Sequence, residues 1–183
     1  MESGKPSESP HTPRLRPGAL LELLAKHEVD YVVIGGVGAN IWGSPRGTLD
    51  LDICAATTRE NKRRLATALT ELDARFRPAG LEEEGFPPPG GWDDRTFDSL
   101  ISLATTTKLG WLDIWFIPDG TTGYDDLVKN AADARIGKHH VKVAAIADII
   151  RSKQAAGRNK DLAALDHLQE LDQRRAERGQ TEP

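Results

Sequence analysis

The sequence holds one cysteine, Cys54, in 183 residues. A lone cysteine excludes an internal disulfide framework and a thiolate zinc cluster, and it fits a reducing, cytoplasmic setting. No stretch approaches the roughly 20 apolar residues of a membrane span, and the N-terminus carries no apolar signal core, so a soluble protein without a membrane partner is expected. Positive charge is not in excess either. A formal net charge of −4 and a pI near 5.7 argue against a protein whose whole surface grips nucleic acid, while leaving room for a local basic patch.

Apolar content is nearly missing from MESGKPSESPHTPRLRP, residues 1–17, which cannot repay the entropy of ordering and read as a flexible tail. Residues 173–183 read likewise, leaving one folded domain over 18–172. Within it, Pro78 to Arg95 contains GFPPPGGWDD and predicts a loop, because proline removes ladder donors; Trp92 is placed to cover a neighbouring surface. There is no internal repeat.

Elsewhere the periodicity alternates between helix and strand. GALLELLAKHE (18–28) predicts a helix, DYVVIGG a strand, VGANIWG a short helix opening at the glycines, and TLDLDIC a second strand. A long helix follows over TTRENKRRLATALTELDARF, with Thr57 or Thr58 as N-cap. ISLATTT and GWLDIWFI predict two strands joined by a tight Lys-Leu-Gly turn. YDDLVKNAADA predicts a helix and HHVKVAAI a short strand; two closing helices from about residue 146, IADIIRSKQAA and KDLAALDHLQEL, are separated by Gly157. The expected class is α/β (α+β): a mixed sheet of about four to six strands flanked by helices, with a small C-terminal helical segment.

The chemistry begins at Asp50 and Asp52. Strand side chains alternate, so both acids face one way while Leu51 and Ile53 enter the core. Two like charges side by side need a cation, and hard oxygen ligands suit Mg²⁺ (or Mn²⁺) together with substrate phosphates. Asp113, flanked by Leu112 and Ile114 in a later strand, would complete a three-carboxylate, two-metal constellation if the two strands are neighbours. Gly35 and Gly36 close a strand and open a helix, where backbone N–H groups favour phosphate and missing side chains allow close approach. No Gly-Lys-Ser/Thr follows, which excludes a P-loop, and Ile41 stands at the third glycine position of a dinucleotide fingerprint.

Taken together, Ile34-Gly35-Gly36, then Asp50-Leu51-Asp52-Ile53, then Asp113 resembles the DNA polymerase β-like nucleotidyltransferases in their minimal form. The C-terminal run ADIIRSKQAAGRNKDLAALDHL is similar to the closing segment of the toxin-like branch that includes AbiEii-type proteins, with Lys153, Arg158 and Lys160-Asp161 at the matching places. The second acid of that last motif falls on Ala164, and Asp166 follows later. The resemblance covers roughly residues 18–171 and implies a nucleotidyltransferase fold, transfer of a nucleoside monophosphate from an NTP such as ATP to an acceptor hydroxyl, and release of pyrophosphate. It implies Asp50, Asp52 and Asp113 as metal ligands and, with Lys153, as the catalytic set. It further implies Gly35, Gly36, Arg46, Thr48, Lys153, Arg158 and Asp161 as nucleotide-binding residues. Arg46 is either a phosphate ligand or a local partner of Asp50.

For the acceptor, three readings stand. One is RNA, such as tRNA, or a protein in a toxin–antitoxin setting with an antitoxin partner, helped by the basic run Arg59, Lys62, Arg63 and Arg64. A second is a small antibiotic bound by Glu82-Glu83-Glu84 and Asp93-Asp94. The third is a non-catalytic nucleotide-binding or antitoxin-like protein on the same fold. His139 and His140 are strand neighbours facing opposite ways and read as structural or exposed; Cys54 reads as a small buried thiol. Trp111 and Trp115 share the face of Asp113 and either stack a base or shield the site.

Overall fold

A computed structural model describes residues 14–78, 85–179 and 183 of the chain. Its centre is a seven-stranded mixed sheet in the order β3-β4-β5-β2-β1-β7-β6. The strands are β1 (Tyr31–Val33), β2 (Asp50–Ala55), β3 (Arg75–Phe76), β4 (Ser102–Thr107), β5 (Gly110–Trp115), β6 (Ala132–Ile136) and β7 (His139–Val143). Among the described residues six α-helices accompany it: α1 (Pro17–Lys26), α2 (Gly35–Ile41), α3 (Arg59–Glu71), α4 (Tyr124–Asn130), α5 (Ile146–Ala156) and α6 (Asn159–Glu177). Among the described residues no helix is long and apolar enough to cross a membrane.

The sequence pattern explains most of these elements. In α1, Pro17 opens the first turn without losing a needed donor, and Leu20, Leu21 and Leu24 form one buried stripe. Thr58 caps α3, its hydroxyl accepting from the Asn61 N–H at 3.2 Å. Helix α5 stops at Gly157, whose φ of 61° suits a residue without Cβ. The β4–β5 hairpin is antiparallel, as its tight turn requires, whereas β2 pairs parallel with β5 and antiparallel with β1.

Three boundaries differ from expectation. The run 124–134 is not one helix: α4 ends at Asn130, and 132–136 forms β6, paired antiparallel with β7 across Gly137-Lys138. A two-residue turn with Gly137 at φ 60° lets this stretch gain a ladder partner that a helix would forgo. With the two-residue β3 the sheet reaches seven strands instead of about four to six. Helix α6 runs to Glu177, past residue 172, where Arg175 lies 4.9 Å over the Trp42 ring and Gln173 donates to Glu177 one turn on. Residues 85–97 hold a bridge from Phe86 to Phe76 and a 3₁₀ turn at Asp94–Phe97, where Trp92 donates to the Ala74 carbonyl at 3.0 Å and stacks on Phe97. The acidic run at 82–84 lies outside the described residues.

Two features of the core position the site. In the central strand β2, Leu51 and Ile53 are fully buried while Asp50 and Asp52 face the other way, half-buried. Full burial of each such side chain contributes about 1.5–3 kcal/mol, which fixes the register and with it the direction of both acids. Gly38 lets α2 pack closely on α5: a Cβ there would lie 3.3 Å from Ile149 Cδ1. This close approach brings the middle of α5 beside the glycine turn.

Candidate active site

The register of β2 against β5 places Asp52 opposite Asp113 and Asp50 opposite Trp111. Three carboxylates therefore meet on one sheet face, and each contributes an oxygen to a group whose members lie within 4.8 Å of one another. Oxygens sharing an octahedral ion at about 2.1 Å are no more than about 4.2 Å apart. Such a donor set fits one hard divalent cation after a small side-chain rotation, or a pair of cations. Among the described residues this is the one such cluster.

Each acid accepts from one neighbouring side chain. Thr48 Oγ1 donates to Asp50 Oδ1 at 2.7 Å, Trp115 Nε1 to Asp52 Oδ1 at 3.2 Å, and an Arg77 guanidinium nitrogen to Asp113 Oδ1 at 2.6 Å. Burial, followed by the charges of Asp50 and Asp113, pushes the Asp52 carboxyl up to about 7. Burial also raises Asp113, against the opposing pull of Arg77. Clustered, half-desolvated carboxylates of this kind are unfavourable when ionised alone and favourable around a cation.

The glycine turn serves these acids first. At Gly35, with φ +62°, a Cβ would sit 2.0 Å from Asp52 Oδ2, and at Gly36 it would sit 2.6 Å from Thr48 Oγ1. The space left by the missing side chains is thus filled by Asp52 and Thr48, and the Gly36 N–H points to the Asp52 carboxylate. The expectation that this space admits phosphate directly is corrected accordingly.

A cavity of about 260 Å³ opens beside the cluster. All ten residues singled out from the sequence line it: Gly35, Gly36, Arg46, Thr48, Asp50 and Asp52, then Asp113, Lys153, Arg158 and Asp161. Lys160, matched in the closing motif, lines it as well, and so do Asp148 and Ser152, which sequence reasoning did not single out. Sequence reasoning also missed Arg77, whose only advance signal was that a buried acid such as Asp113 needs a counter-charge. Asp161 is 3% exposed, and both its oxygens are occupied, one accepting from Lys153 Nζ at 3.0 Å and the other from Arg158 Nε at 2.5 Å. It holds two cations in place. Arg46 does not pair with Asp50; it donates to the Ala163 carbonyl of α6 at 2.6 Å. Trp115 shields the acids, while Trp111 lies under the Arg77 guanidinium at 4.2 Å.

Other candidates lie apart from the cavity. Arg59 and Arg63 pair with Asp94 at 2.7 and 3.4 Å, Lys62 with Asp98 at 2.8 Å, and Arg64 with Glu60 at 3.4 Å. The basic run is thus matched by acids, and Asp93 caps the 3₁₀ turn, where it and Asp94 line a second cavity apart from the three acids. Cys54 is fully buried, which pushes its thiol up to about 12. His140 is exposed and His139 half-buried, on opposite faces of β7.

The lincosamide antibiotic adenylyltransferase LnuA, solved with lincomycin bound, superposes on the chain with a TM-score of 0.56 at 13% identity, covering 86% of this chain and 99% of LnuA. The chain has the nucleotidyltransferase fold. TM1012 of Thermotoga maritima, provisionally assigned as a nucleotidyltransferase, superposes with a TM-score of 0.52 at 16% identity over 84% of this chain and 93% of that one. No family model and no curated protein matches the sequence.

Proposed function

We propose that the chain transfers a nucleoside monophosphate from an NTP to an acceptor hydroxyl and releases pyrophosphate. The observation that carries this reading is the meeting of Asp50, Asp52 and Asp113 within 4.8 Å beside a cavity whose other wall bears Lys153, Arg158 and Lys160. Mg²⁺ or Mn²⁺, held by the three carboxylates, would supply charge neutralisation at the triphosphate and a lowered pKa for the acceptor hydroxyl. The chain's own residues do the rest. Thr48, Trp115 and Arg77 fix the carboxylates, Gly35 and Gly36 let β2 and α2 approach, and Asp161 presents Lys153 and Arg158 as cations for phosphate oxygens. Asp113 is the acid closest in role to a proton acceptor from the hydroxyl.

For the acceptor, the cavity position of Lys153, Arg158 and Lys160-Asp161 supports the toxin-like branch, hence an RNA end or a protein hydroxyl with an antitoxin partner. The likeness to a lincosamide adenylyltransferase favours a second reading, a small antibiotic acceptor. Pairing of the basic run on α3 with Asp94 and Asp98 weighs against that helix as the RNA-binding surface. Incubation with Mg²⁺, each labelled NTP, and total RNA, cell protein or a lincosamide and aminoglycoside panel decides between them by where label appears. Label in no fraction, with NTP bound, would favour a non-catalytic nucleotide-binding protein.

A further inference from the structure

Arg77 belongs to none of the motifs above and does not line the cavity. It follows β3, and its backbone N–H donates to the Ala104 carbonyl at 2.9 Å. Ala104 is the residue paired with Asp113 across β4 and β5. From that anchor the side chain crosses β4, stacks 4.2 Å above the Trp111 ring and donates to Asp113 Oδ1 at 2.6 Å. The Arg77 side chain is 13% exposed and that of Asp113 19%, and Arg77 Nε is buried without a hydrogen-bond partner. Among the described residues this guanidinium leaves a donor unspent, so it is not placed there for the number of bonds it makes. Its geometry is set by the aromatic face below it and by one carboxylate.

We propose that Arg77 is the positioning residue of the third carboxylate. It takes one oxygen of Asp113, leaves the other for a cation, and by its charge weakens the cluster's hold on that cation so that it stays exchangeable. This rests on the three acids binding a divalent cation. Even at the dielectric of water, a unit charge about 6 Å from a divalent cation lowers affinity roughly tenfold, and a partly buried site amplifies this.

The test is nucleotide-free Mn²⁺ binding to the full chain, read from the signal of free Mn²⁺ by electron paramagnetic resonance. Arg77→Met keeps the packing on Trp111 and should bind Mn²⁺ about tenfold more tightly than the parent, as should Arg77→Gln, while Arg77→Lys should stay near the parent. In an Asp113→Asn background Arg77→Met should still tighten binding, but by less than in the parent, because the guanidinium charge acts on the cation through space and the asparagine holds it less firmly at the cluster. Equal or weaker binding by both neutral variants, a larger gain without the Asp113 carboxylate than with it, or unfolding of both neutral variants in a thermal melt overturns the proposal. No uptake by the parent or any variant removes the cation reading and this proposal with it. Uptake that depends on Asp113 but not on Arg77 removes this proposal alone.

Discussion

Replacing Asp52 by asparagine should stabilise the metal-free protein at pH 8, and the gain should shrink as the pH falls. In the native state burial and the charges of Asp50 and Asp113 hold the Asp52 carboxyl at about 7, against an ordinary value of 3.8. A raised native value means that the folded state binds the proton more tightly. Stability from this group is therefore complete below the ordinary value and is lost as the pH rises towards 7. An ionisation held back by about three pH units costs about 4 kcal/mol at pH 8, and about 2 kcal/mol at pH 5. Asparagine removes that cost but leaves either the Trp115 N–H or the Gly36 N–H with a poorer acceptor, a loss of about 1 kcal/mol. The net expectation is a gain of about 3 kcal/mol at pH 8 and about 1 kcal/mol at pH 5. Urea denaturation in EDTA at both values measures it. Mg²⁺ should stabilise the parent at pH 8 and leave Asp52→Asn unaffected. A variant no more stable than the parent at pH 8, or a gain that does not change with pH, would show that the carboxylate cluster is not the strained element described here.

Other variants test the surrounding parts. Lys153→Ala should weaken NTP binding by about 1–3 kcal/mol in a calorimetric titration if it meets a phosphate oxygen, and unchanged affinity would return it to a structural partner of Asp161. Gly35→Ala forces a Cβ to 2.0 Å from Asp52 Oδ2 at a φ of +62°, so it should lower the melting temperature and abolish Mn²⁺ binding; a stable, metal-binding variant would refute the packing argument. Cys54, buried with its thiol near 12, should resist a thiol reagent in the native protein and react fully in denaturant.

How far these features were legible in the sequence depends on how local their causes are. The limits of α5, Ile146 and Ala156, follow from an apolar stripe and from Gly157, both within one helix length. The direction of Asp50 and Asp52 follows from alternation with Leu51 and Ile53. By contrast β6, ADARI, carries helix-compatible residues and becomes a strand because β7 lies across a two-residue turn. The proximity of Asp113 to Asp52 required that β5 lie beside β2, a pairing across about sixty residues that alternation makes possible and does not determine. Arg77 left no periodic mark at all, since it sits next to Pro78 outside the regular part of β3 and acts through an acid two strands away. Arg46 and Asp93 show the same limit: polar side chains find whichever group the fold brings near, here the Ala163 carbonyl and the Thr96 N–H, and several lay within reach.

The central claim is that three carboxylates on β2 and β5 form one cation-dependent centre for nucleotidyl transfer. Asp113→Asn tests it most directly, because Asp113 reaches the site only through the β2–β5 register. With the acceptor identified by label transfer, the variant should bind NTP with nearly the parent's affinity and lose most of the transfer rate, since the ion that activates the acceptor hydroxyl loses a ligand before the one on the triphosphate does. Transfer at the parent's rate by Asp113→Asn would contradict the account.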